Sequence, residues 1–147
     1  MNPSRRALQF SISSLALLLI SGCALFSPKD PVSGNWSGDW YISALPKPGG
    51  VLKCNVTRVD KNQWKAEFEA FYGKSERALY KVELLGHREK EKVVFGGDVD
   101  LGAASGGVFH WTGQCDGKKF TGDYKSTNYT GRFELIPVAP SKEPPKS

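Results

Sequence analysis

Few residues of this chain have the type and spacing to do chemistry, and most of those stand apart. There are two histidines: His87 lies in a charged turn and His110 on the polar side of an alternating segment, too little for a catalytic triad or a multi-histidine metal site. Cys54 and Cys115 lack metal-ligand spacing. Asp98 and Asp100 share one side of a predicted strand and are expected to face solvent. Gly73-Lys74-Ser75 matches the end of a phosphate-binding loop, but Phe68 stands where its first glycine belongs and no helix follows, so a hairpin turn is expected. Asn35-Trp-Ser37, Asn55-Val-Thr57 and Asn128-Tyr-Thr130 match a glycosylation sequon that is common by chance. The expectation is therefore no catalytic residue, no metal ligand and no cofactor, and a protein that is not an enzyme.

One cysteine does carry a chemical signature. Arg5 and Arg6 precede an uncharged, largely apolar run from Ala7 to Ile20, and small residues follow. That is the layout of a signal peptide, with a stretch shorter than the roughly 20 apolar residues a spanning helix needs. Its last four positions, Ile20-Ser21-Gly22-Cys23, resemble the bacterial lipobox. The resemblance implies diacylglycerol on the Cys23 thiol, cleavage before it, and acylation of the new amino group. Ala24, rather than aspartate, after the cysteine implies delivery to the outer membrane. Several acyl chains, at ~0.8 kcal/mol per buried methylene, anchor a small protein firmly. The expected location is thus the cell envelope, with the membrane as a partner through the N-terminal lipid.

Export changes the expected state of the remaining thiols. With Cys23 lipidated, Cys54 and Cys115 form an even pair in an oxidising compartment, and a disulfide is expected; the alternative is two separate buried thiols. A bridge closing about 60 residues would contribute roughly 4 kcal/mol in the chain-entropy model. Removing the two leader arginines from the 20 basic residues leaves an excess of three over the 15 acidic ones. That mild balance is no nucleic-acid signature, and no nucleic acid is expected as a partner. The organisation reads as a signal peptide over 1–22, a lipidated flexible linker over 23–33, one domain over 34–136 and a Pro/Lys-rich flexible tail over 137–147.

The elements of that domain are legible because apolar residues recur at every second position and no stretch has a helical period. The pattern predicts strands over Gly34–Ile42, Val51–Val59, Trp64–Tyr72, Ala78–Leu85, Val93–Leu101 and Gly107–Cys115, then around Phe120–Tyr124 and Tyr129–Leu135. Trp64, Ala66, Phe68, Ala70 and Tyr72 share one side, with Lys65, Glu67 and Glu69 on the other. The links are short, and Asp116-Gly117 is expected to be a two-residue type I′ hairpin. Short links place each strand antiparallel beside its predecessor. About eight such strands can close on themselves and abolish their edges. The fold class is therefore all-β: a single up-and-down antiparallel β-barrel with one disulfide.

Glycine recurs two residues before an aromatic at Gly34/Trp36, Gly38/Trp40, Gly107/Phe109, Gly122/Tyr124 and Gly131/Phe133, a device that lets strands coil while a ring covers bare backbone. The opening Gly34-Asn-Trp36 resembles the Gly-x-Trp that starts the first strand in lipocalins and avidins. The resemblance implies a lipocalin/avidin-like barrel, with Arg132 in the last strand as the arginine that stacks on that tryptophan. The wider layout, Gly-x-Trp-x-Gly-x-Trp at the start and Gly-Arg-Phe-Glu-Leu at the end, is similar to small uncharacterised bacterial lipoproteins.

The function this suggests is non-catalytic: a lipid-anchored envelope protein that binds a small apolar ligand or an envelope component, with Trp36, Trp40, Trp111 and Arg132 as ligand-binding residues. The alternative is a protein-protein role, as an inhibitor of an envelope hydrolase or a structural partner in an outer-membrane assembly, with the loop from Ala44 to Gly50 as its contact. A hollow interior would favour the first, and a solid core with an apolar surface patch the second.

Overall fold

A computed structural model describes residues 30–139. The signal peptide, Cys23 and most of the linker and tail lie outside these described residues. The chain forms eight strands: β1 Gly34–Ile42, β2 Pro48–Asp60, β3 Gln63–Tyr72, β4 Glu76–Glu89, β5 Lys92–Asp100, β6 Val108–Cys115, β7 Phe120–Lys125 and β8 Thr130–Val138. Each pairs antiparallel with the next, and β8 returns to β1, closing the barrel. The expected meander is therefore present. Among the described residues the only helix is a single 3-10 turn, Ala103–Ser105, between β5 and β6.

The two-residue rhythm sets the faces. Trp64, Ala66, Phe68 and Ala70 of β3 are buried, while Lys65 and Glu67 are exposed. Outward charges pair across strands: Arg77 Nη1 lies 2.9 Å from Glu69 Oε1, and Lys81 Nζ 3.3 Å from Glu67 Oε1. These exposed pairs contribute at most ~1 kcal/mol each. The glycine-aromatic device is also present, with the ring supplied by the neighbouring strand. Gly122 pairs with Phe133 and Gly131 with Tyr124, and a Cβ at either glycine would lie within 2.4 Å of that ring.

The barrel is filled at one end. There Trp36, Trp64, Phe68, Phe95 and Phe120 interlock edge-on or tilted, with ring centroids 5.5 to 6.3 Å apart. Such pairs add ~1 kcal/mol each beyond their buried area. Leu84, Leu135, Val93 and Cys115 fill the gaps.

Beneath them the segment expected to be flexible up to residue 33 is instead a stopper: Val32 is 0 % exposed. The Val32 carbonyl accepts a bond from Trp36 Nε1 at 2.9 Å, Trp64 Nε1 donates to the Asp30 carboxylate at 3.1 Å, and the Cys115 thiol donates to the Pro31 carbonyl at 3.1 Å. Two indole donors and a thiol at this end need acceptors, and the chain before β1 supplies them. At the other terminus β8 runs two residues past Ile136, pairing Val138 with Asn35.

Two expectations are corrected. Cys54 and Cys115 are free, buried thiols, not a disulfide. They sit on β2 and β6, strands that are not neighbours. Phe120, the partner of Cys115, sends its ring to Trp36 and Phe68, the two residues paired with Cys54. Cys115 lies near enough to add electrostatically to the burial that raises the Cys54 thiol, yet no bond joins them, and the Phe120 ring packs beside both. The Asp116-Gly117 turn is also longer than two residues, running from Cys115 to Phe120. Asp116 Oδ1 accepts from the amides of Lys118 and Lys119 at 2.8 and 2.7 Å. Only Gly117 takes a positive φ there, so the Asx-type turn displaces the type I′ geometry.

Candidate functional site

The other end of the barrel is hollow. Once the chain has placed its largest fillers around Phe120, the inward residues nearer the opposite mouth leave a cavity of ≈ 440 Å³, within the range of small-molecule sites. Trp40 and Ile42 of β1, Ala70 and Tyr72 of β3, and Tyr80 and Val82 of β4 form one wall. Val99 of β5, Phe109 and Trp111 of β6, and Tyr124 of β7 form the other. Leu101, Ala104, Ser105 and Tyr129 from the loops stand at the rim, and Phe68 and Phe133 make the floor. No charged side chain is among these lining residues.

A wider concavity of ≈ 740 Å³ lies over the outer face of β1 to β4, among Asn35, Lys53, Asn55, Glu67, Glu69 and Lys81. Lys81 there pairs with Glu67, Glu69 with Arg77, and Lys53 lies over the Phe71 ring, so the apolar interior is the better candidate.

Most polar atoms of the cavity are committed to the fold. Trp40 Nε1 donates to the Phe71 carbonyl at 3.3 Å, and the Tyr124 hydroxyl donates to the Tyr41 carbonyl at 2.7 Å. The Tyr72 and Tyr80 hydroxyls meet at 2.8 Å. Burial, the Tyr72 hydrogen bond and neighbouring phenols together push Tyr80 well above the usual tyrosine range, and burial raises Tyr124, so both stay neutral. The exception is Trp111, 7 % exposed, whose Nε1 is buried without a hydrogen-bond partner. It stands at a weak point in the wall. The β4–β5 ladder runs only from Glu89↔Lys92 to Leu85↔Gly96; beyond it, Arg77–Glu83 of β4 pair with β3 alone and Gly97–Asp100 of β5 with β6 alone.

Of the residues expected to bind ligand, Trp40 and Trp111 line the cavity and Trp36 and Arg132 do not. Trp36 is packed at the filled end, 3 % exposed, with its indole nitrogen spent on Val32. Arg132 points outward, its guanidinium 4.6 Å from the Tyr41 ring and its Nε 3.7 Å from Glu134. The expected stack of Arg132 on Trp36 is therefore absent, because the two-residue period turns Arg132 away from the interior while its neighbour Phe133 faces in.

Tyr72, Tyr80, Val99 and Phe109 complete the site. Their inward orientation was legible, but which end of the barrel would stay open was not. Asp98 lies 2.6 Å from His110 on the outer face, and Asp100 accepts from the Gly102 amide. No cluster of three or more His, Cys, Asp or Glu able to hold a metal ion occurs among the described residues.

No family model and no curated protein matches this chain. A crystal structure of a substituted form of the fluorescent protein UnaG is similar at a TM-score of 0.45, with 10 % identity, over 75 % of this chain and 98 % of that one.

Proposed function

We propose that this chain is a lipid-anchored, non-catalytic binding protein of the bacterial cell envelope whose barrel holds a small, largely apolar molecule. The observation that carries this reading is the cavity itself: ≈ 440 Å³ at one end of the barrel, walled by aromatic and aliphatic side chains with no charge among them. Burying apolar ligand surface there gains about 25 cal/mol per Å², and the aromatic rings supply large contact areas at little entropic cost. Export and anchoring rest on Ile20-Ser21-Gly22-Cys23 after an apolar leader. Asp30 of the stopper follows Cys23 by seven residues, a tether of at most about 25 Å. The described chain thus begins at the filled end of the barrel, opposite the mouth.

The test is native mass spectrometry of the protein purified from membranes of its own host. A covalent diacylglyceryl mass on Cys23, with a second, non-covalent mass lost on gentle activation, is the expected result. Recovery of unmodified, soluble chain would remove the anchor. An empty barrel that also takes up no apolar dye would remove the carrier role.

A further inference from the structure

The proposed binding role leaves the chemistry of the ligand open, and the cavity wall narrows it. We propose that the molecule held there is uncharged and carries a hydrogen-bond acceptor, such as an ester, ketone or ether oxygen, that receives protons from Trp111 and from the Tyr72–Tyr80 pair. This inference rests on the binding role proposed above.

Three observations lead to it. The lining contains no lysine, arginine or histidine, so a carboxylate or phosphate drawn inside would be stripped of water without a countercharge, which is strongly unfavourable. It contains no carboxylate either, which disfavours an amine for the same reason. The basic residues near the mouth, Lys47, Lys74 and Lys125, belong to the loops or face outward and lie outside the lining.

Of the polar groups that remain uncommitted, the Trp111 indole can only donate, while the hydroxyls of the lining can donate as well as accept. Trp111 Nε1 has no acceptor although its residue is 93 % buried, and a buried donor left unpaired is a cost the fold normally avoids. In the Tyr72–Tyr80 pair one hydroxyl donates to the other, which leaves the second proton undirected. Tyr124 and Trp40 have already given theirs to backbone carbonyls. A ligand oxygen satisfies what the protein leaves open.

The Trp111 nitrogen is shielded in the empty barrel, so a ligand oxygen reaches it through a small shift of the wall beside it. The strand partner of Trp111, Gly97, has no side chain, and a Cβ there would lie 3.4 Å from that nitrogen. The adjoining seam lacks ladder bonds between β4 and β5, so this is the wall that yields most readily.

The experiment compares methyl laurate, laurate, laurylamine and dodecane as competitors of Nile red bound to the full mature protein at about pH 8, where the acid and the amine are charged. Methyl laurate is expected to bind at least about tenfold more tightly than laurate or laurylamine, and about fivefold more tightly than dodecane, the ratio one neutral hydrogen bond supplies. Trp111→Phe and the double variant Tyr72→Phe/Tyr80→Phe should each shrink the ester-over-dodecane preference while leaving dodecane binding in place, the double change being needed because either hydroxyl alone would still offer its proton. The second variant keeps the test valid if the first unfolds. Laurate binding as well as its ester, or an unchanged preference in both variants, overturns the inference while the carrier role stands. Binding of none of the four, or of Nile red, overturns both.

Discussion

Individual side chains divide the interior into a part that holds the fold and a part that holds the cavity. Phe120 is fully buried and touches Trp36, Phe68, Phe95 and Phe133, so Phe120→Ala is expected to cost about 3–5 kcal/mol in denaturant unfolding. Phe109 lines the hollow end and is only half-buried, so Phe109→Ala should cost clearly less stability while weakening retention of a bound apolar dye. Equal losses would refute the division.

The thiols make a second residue-level prediction. Burial holds Cys54 well above the usual thiol range and pushes Cys115 up to about 12. Because the folded values exceed the unfolded one, their contribution is complete below about pH 8.5 and is lost as pH rises towards 12. Unfolding free energy should therefore fall through that window, less steeply in a Cys54→Ala/Cys115→Ala variant. Two thiols should be titratable after denaturation without reductant; finding none would restore the bridge. Asp30 behaves oppositely. Burial alone would raise its carboxyl, but bonds from Ser33, Val32 and Trp64 outweigh that and lower it. Its stabilisation is present above the ordinary aspartate range and disappears in strong acid, which loosens the stopper.

At the scale of elements, two departures from an ideal barrel have measurable consequences. The stopper ahead of β1 supplies acceptors to Trp36, Trp64 and Cys115 and buries Val32. Deleting Asp30–Ser33 should therefore lower stability by about 3 kcal/mol or more, from one lost aliphatic burial and the buried donors left unpaired. A deletion that unfolds at the same denaturant concentration as the parent would show the segment to be passive. The β4–β5 seam predicts an alternating pattern. Amides of Arg77–Glu83 that face β3 have ladder partners and those that face β5 do not, so hydrogen exchange along this stretch should alternate slow and fast. Uniform protection would mean the seam is closed in solution. Element positions were largely readable in advance: the period of two located all eight strands, and β1 even to its ends. The turn after Cys115 was misjudged because the Asp116 side chain, through its bonds to two following amides, chose a longer loop.

For the whole molecule, a filled half and a hollow half should respond differently to ligand. An occupant present at a hundredfold its Kd stabilises the folded state by about 2.7 kcal/mol. The slowing of exchange should concentrate around Val99, Phe109 and Trp111 rather than Trp64 and Val93; uniform slowing would place the occupant elsewhere. The sequence by itself determined the all-β class, the antiparallel order and the facing of nearly every side chain, because a period of two and short links are local constraints that survive into the fold. The proposal of export and lipidation at Cys23 likewise rests on a linear motif, Ile20-Ser21-Gly22-Cys23, and needs no fold. Only the tertiary structure decided which end of the barrel is filled, that Val32 closes it, that Cys54 and Cys115 stay apart, and that Arg132 lies outside while Trp111 keeps an unspent donor. The physical reason is the same in each case. Strand alternation says whether a side chain points in, but how far along the closed barrel it sits, and what faces it across the interior, depends on the stagger of eight strands at once, which no single stretch of chain specifies.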